Sequence, residues 1–150
     1  MAKFKFRLAT LLRLREAARD ERRGHLAEAL RAEELLNRRA AELDASVAEL
    51  RSQINQQALS GTIDVEKLIN SQRYGALLEA ERVMLAQQAS QVADEIENRR
   101  QALVAADREV HVLEKLRENQ QRAHREHEER IEMKALDEIA GTSRGGEQMT

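Results

Sequence analysis

The sequence predicts an all-α fold, a single antiparallel two-helix coiled-coil hairpin with a longer second helix. Three observations predict it. First, the chain has no proline in 150 residues, so nothing removes a helical hydrogen bond along its whole length. Second, charged residues make up 35% and aromatics 2%. That balance cannot fill a layered globular core and matches a long helix with a narrow apolar stripe. Third, two apolar seams flank the one break, Ser60-Gly61-Thr62, and they mirror each other. Leu36, Leu43 and Leu50 recur every seventh residue before it, and Leu78, Leu85 and Val92 do so after it. Folding the chain back at residue 60 or 61 sets Leu36 against Leu85, Leu43 against Leu78 and Ala29 against Val92.

The elements follow in order. A basic lead, Lys3-Phe4-Lys5-Phe6-Arg7, enters helix one, expected over about residues 8–58 with Thr10 as a possible cap. Its seam runs Leu8, Leu12, Leu26, Ala29, Leu36, Ala40, Leu43, Val47, Leu50 and Ile54, in steps of three and four. The seam fails between Leu14 and Leu26, where Arg15, Arg19 and Arg22 fall at or near core positions. A turn is expected over about 59–63, and Asp64 is a good N-cap for helix two, expected over about 64–140. The second seam reads Leu78, Leu85, Ala89, Val92, Ile96, Leu103, Ala106, Val110 and Leu113. Tyr74 and Leu77 are expected to join Leu78 in the core opposite Val47 and Leu50. Leu30, Leu35, Leu59 and Val83 lie off the seam and point outward.

Mirror pairing carried to the termini sets Leu12 against Val110 and Leu8 against Leu113. Helix one therefore runs out near residue 113, and the helix beyond Leu116 is left without an intramolecular partner for about 35 Å at 1.5 Å per residue. Gly141 is the expected stop of helix two, and residues 141–150 read as a disordered tail. The whole of residues 1–140 forms one domain. The exposed apolar residues and the missing helix partner mark the terminal end as an interaction surface.

Composition also excludes function classes. The net charge is −2, with 25 basic and 27 acidic residues interleaved, so there is no bulk drive toward nucleic acid or an anionic membrane. The chain has no cysteine, hence no disulfide and no thiolate metal site. No apolar run approaches a membrane span, and the lead lacks the apolar stretch of a signal peptide. A cytoplasmic protein is expected.

His111, His124 and His127 with their neighbouring glutamates invite a metal reading. A stable site needs ligands converging from a second element, which this stretch lacks, so a solvated charged face is the expected role. The carboxylates form no identifiable catalytic pair, because a two-helix coil offers no concave, desolvated pocket to shift a pKa. Single glycines cannot make a phosphate loop. No catalysis, cofactor or metal is expected. The arginines of helix one, Arg13 through Arg39, alternate with glutamates and read first as ion-pairing partners; they lack the dense positive block of a DNA-binding zipper.

Two runs carry a family resemblance. Phe4-x-Phe6-Arg7-Leu8-x-x-Leu11-Leu12-Arg13-Leu14-Arg15-Glu16 resembles the opening of the flagellar export protein FliJ family. Glu109-Val110-x-Val112-Leu113-Glu114-Lys115-Leu116-Arg117-Glu118 resembles that family's second signature, and Lys134 to Ala140 its close. The tail after Gly141 and the segment near 55–75 carry no matching motif.

The resemblance implies a non-enzymatic component of flagellar type III export, an antiparallel coiled coil like the stalk of rotary ATPases. It implies three partners: the hexameric export ATPase, the cytoplasmic domain of the export gate, and export chaperones. It also implies a monomer in isolation, held at the cytoplasmic face of the membrane only through its partners. By motif matching, ring contacts fall at Phe4, Phe6, Leu8, Leu11, Arg13, Arg15, Leu113, Lys115, Leu116 and Arg117. The alternatives are the equivalent stalk of a non-flagellar secretion system and a self-associating structural coiled coil.

Overall fold

A computed structural model describes residues 2–147. Two helices account for nearly all of them: α1, Ala9–Leu59, and α2, Val65–Glu147. They are 51 and 83 residues long, and no strand occurs among the described residues. Contacts divide the helical pair into two compact units. One is Glu21–Leu103; the other joins the residues up to Asp20 to those from Val104 onward.

The unit Glu21–Leu103 contains the fold-back. The break expected at Ser60-Gly61-Thr62 is there. α1 closes with the Ser60 amide donating to Gln56 O at 3.2 Å and the Ser60 hydroxyl donating to Gln57 O at 2.9 Å. Gly61 follows at φ +74°, the only positive φ among the described residues. That left-handed geometry costs any side-chain-bearing residue about 1–2 kcal/mol, which explains glycine at this point. Asp64 caps α2 as expected, with Oδ1 accepting from the Glu66 amide at 3.1 Å.

The mirrored seams meet in this unit. Leu43, Leu50, Leu78 and Leu85 form one buried cluster with Leu36, Val47 and Ile54 packed against it. Each such leucine contributes roughly 1.5–3 kcal/mol by leaving water. Ion pairs flank the seam. Arg39 binds Glu81 across the hairpin, with its Nε donating at 2.9 Å, and Glu42 along α1 at 3.0 Å. These two carboxylates, Glu81 first, hold the Arg39 guanidinium above its ordinary range. Arg82 reaches Asp44 at 3.3 Å.

One expectation fails in this unit. Tyr74 is not core: it is 48% exposed, and Leu77 is 68% exposed. The seam passes through Ser71 and Gly75 instead, and a Cβ on Gly75 would lie 3.3 Å from Leu50 Cδ2. The missing side chain lets Leu50 fill that position, and this register turns Tyr74 outward. At the tip, Leu59, Ile63, Val65 and Ile69 are all exposed, because the connection leaves no element to cover them. Arg99 joins the seam further along α2. It sits half-buried at a seam position, paired with Glu95 at 2.8 Å and donating across to the His25 carbonyl.

The second unit holds both chain ends. Leu12, Val110 and Leu113 form its buried cluster, with Phe6 packed against them. Leu12 and Val110 meet as the mirror rule requires. Leu8 does not take its expected place on Leu113. α1 begins only at Ala9, after a turn in which the Ala9 amide donates to Phe6 O at 3.2 Å. Leu8 lies in that turn at 37% exposure, and the Phe6 ring covers the cluster instead. Thr10 lies inside the helix and is not its cap.

In the polar gap, Arg19 alone of the three arginines is half-buried; Arg15 and Arg22 are exposed. α2 also outruns its expected end. Gly141 is helical, and the helix continues through Glu147. No proline forces a stop, Gly141 does not enter the left-handed region, and the Thr142 and Ser143 hydroxyls fold back onto the preceding turn's carbonyls. The last three residues of the expected tail lie outside the described residues.

Candidate functional site

All ten residues expected to face a partner fall in the unit that holds the chain ends. They do not play equal parts. Leu113 is 9% exposed and belongs to the core. Phe6 packs against that core, and Leu116 and Phe4 are half-buried. Leu8 and Leu11, each 37% exposed, present apolar surface. Arg13, Lys115 and Arg117 stand in solvent. Arg15 is already engaged across the hairpin, donating to Glu109 Oε2 at 3.0 Å. Arg13 has no ion pair among the described residues, so it is the helix-one arginine of this group with charge to offer a partner.

The sequence reading missed several surface features of the same unit. Leu14 and Val112 are exposed, in the same unit as Leu8 and Leu11. Further along α2, Ile131, Met133, Leu136 and Ile139 are exposed at 48–66%. Their spacing is not a strict heptad, so a search for a seam passes over them.

The expected bare helix beyond Leu116 is not bare at its start. The extended residues ahead of α1 run alongside α2 as far as His124. His124 Nε2 lies 3.1 Å from the Ala2 carbonyl, and the Phe4 and His124 rings sit 5.7 Å apart at 41°. A short extended segment has no periodicity to betray its course, so only Phe4 and Phe6 as bulky apolar residues signalled that it packs at all.

Among the described residues no polar or charged side chain is buried. The cavities are shallow surface grooves, such as the one of about 330 Å³ between Ala2 and α2 at His124 and Glu128. Among the described residues, no three metal-ligating side chains converge. Among the described residues, no helix is long and apolar enough to cross a membrane.

No curated protein and no solved structure matches the chain. A family model described as flagellar FliJ protein matches residues 4–146, which takes in both signature runs, α1 and all but the last residue of α2, and the chain belongs to that family.

Proposed function

We propose that this chain is a non-enzymatic stalk and adaptor of flagellar type III protein export. It binds the hexameric export ATPase through the unit that carries both termini, engages the cytoplasmic domain of the export gate, and escorts export chaperones. It works at the cytoplasmic face of the export apparatus and reaches the membrane only through those partners. The family match over residues 4–146 carries this reading. The surface of the terminal unit supports it: Leu8, Leu11 and Leu14 are exposed, Arg13 stands in solvent, and the α2 extension bears exposed apolar residues. The chain contributes no reacting group. It acts by contacting some conformations of its partner subunits better than others, which shifts their populations.

The test adds purified protein to the purified export ATPase and follows hexamer formation and ATP turnover. Promotion of both at micromolar concentrations is expected. No effect on either overturns the stalk role.

A further inference from the structure

The segment from Ala2 to Phe6 is attached to α2 at two points of different character. Phe6 packs on the buried cluster of Leu12, Val110 and Leu113. Four residues earlier, the Ala2 carbonyl meets His124. Because a carbonyl only accepts, His124 Nε2 carries the hydrogen of the 3.1 Å bond. The Phe4 ring rests against the same imidazole. The His124 and Glu128 side chains are 27% and 29% exposed, whereas Glu126, His127 and Glu129 on the same turns are exposed. α1 begins only at Ala9, so the extended segment is the element that shields them.

His124 lies fourteen residues, two heptads, after Val110, and Ile131 lies one heptad further. All three positions share the seam face of α2. The extended segment therefore occupies the seam where α1 no longer reaches. Ile131 is 48% exposed.

We propose that residues 2–6 form a displaceable strap, hinged at Phe6 and latched by His124, that closes the α2 seam around His124 and Glu128. The latch is the weak point, since it consists of one hydrogen bond and one ring contact at a partly solvated site. The Phe6 anchor is the strong one, since it is part of a core. The charged groups around the latch are Arg125, Glu128, Glu129 and Glu132 on α2 and Lys3 and Lys5 on the strap; the nearest, Glu128 Oε1, lies 3.9 Å from the same His124 Nε2, against 3.1 Å for the Ala2 carbonyl. Any helix that docks along the α2 seam from Ile131 toward Leu116 must first lift the strap.

The chain has no cysteine, so two introduced thiols label it uniquely. Spin labels on Lys3→Cys and Arg122→Cys report the strap-to-helix distance in the full-length protein. A single short distance is expected with His124 intact. His124→Ala should raise the open population about tenfold, the loss of one hydrogen bond and one aromatic contact. His124→Gln, which keeps an N–H donor, should recover part of the closed state, and His127→Ala on the exposed face should change nothing. Amide exchange at Lys3 to Phe6 should rise in parallel in His124→Ala. An unchanged distance and exchange in His124→Ala, or a broad distribution in the parent protein, overturns the strap.

Discussion

Two methyl groups should move the stability of this chain in opposite directions. At Gly61, φ is +74°, and an alanine there costs about 1–2 kcal/mol of left-handed strain. Stiffening of the unfolded chain returns about 0.4–1 kcal/mol, so Gly61→Ala should destabilise by roughly 1 kcal/mol. Gly24 sits inside α1 with nothing within 4 Å of a Cβ. Gly24→Ala should therefore gain the helix-propensity difference, about 0.8–1 kcal/mol. Gly75→Ala falls between them. The same propensity gain is opposed by a contact of 3.3 Å to Leu50 Cδ2, a methyl at the end of a flexible side chain that must shift by a few tenths of an ångström. Thermal and urea unfolding followed by circular dichroism should separate Gly24→Ala from Gly61→Ala by about 4–8 °C, at 2–4 °C per kcal/mol for a chain of this size. The sign at Gly61 is decisive. A continuous helix through residues 60–62, as a straight self-associating coil would have, makes Gly61→Ala stabilising by the same amount as Gly24→Ala. That result would refute the fold-back.

Further tests separate core from surface and pairing from recognition. Leu43→Ala, at 2% exposure, should cost about 2–5 kcal/mol in urea unfolding, whereas Leu35→Ala, at 64% exposure, should stay within about 0.5 kcal/mol. Glu81→Gln removes the first partner of Arg39. It should lower the urea midpoint slightly at low salt and not at all in 1 M salt, because the pair is solvated. Since Arg39 is held above its ordinary range, it stays charged throughout the working range, and this pair adds no pH dependence through the arginine near neutrality. On function, Arg13→Glu should weaken ATPase stimulation more than Arg100→Glu, with unfolding midpoints unchanged. Arg15→Glu alone is ambiguous because it also breaks the bond to Glu109, so it is compared with the swap Arg15→Glu/Glu109→Arg. Ile131→Glu and Met133→Glu should each reduce stimulation by a similar factor. Loss in only one of them would mean that a single face of α2 makes the contact.

How far the fold was legible depends on whether periodicity carried it. The Leu36/Leu43/Leu50 and Leu78/Leu85 seams repeat, and repetition fixes both the hairpin and its register. The glycine at the left-handed turn and the aspartate cap are local rules, and both acted where the sequence placed them. Tyr74 escaped because its neighbour Gly75 is small: the buried position belongs to the residue that permits close approach, not to the larger one beside it. Arg99 escaped because a seam position can be filled by an aliphatic stem whose charged head reaches outward to Glu95 and a backbone carbonyl. The strap is the hardest case. Its five residues have no repeat, and its contact with His124 spans 122 positions of sequence, so no local rule could assign the imidazole a partner. The ten expected contact residues were brought into one unit, yet the sequence could not sort Leu113, which the core consumes, from Arg13, which remains available.

The exposed apolar residues late in α2 bear on what kind of partner this end accepts. At 100° per residue, Ile131, Ile139, Leu136 and Met133 fall at about 0°, 80°, 140° and 200° around the helix. A two-stranded coiled coil buries a narrow seam at a and d positions and leaves the rest in water. An arc of about 200° exceeds what one partner helix can cover, so simple pairing with a second copy would leave Ile131 or Met133 exposed. Burying all four at once requires surfaces on more than one side of the helix, as an opening lined by several subunits supplies. Arg130, Lys134 and Asp137, at about 260°, 300° and 240°, fill the remaining face of the helix. Under the proposed function, that geometry predicts that Ile131→Glu and Met133→Glu, on opposite sides of the arc, both weaken ATPase stimulation, whereas pairing with a second copy predicts loss at one of them alone.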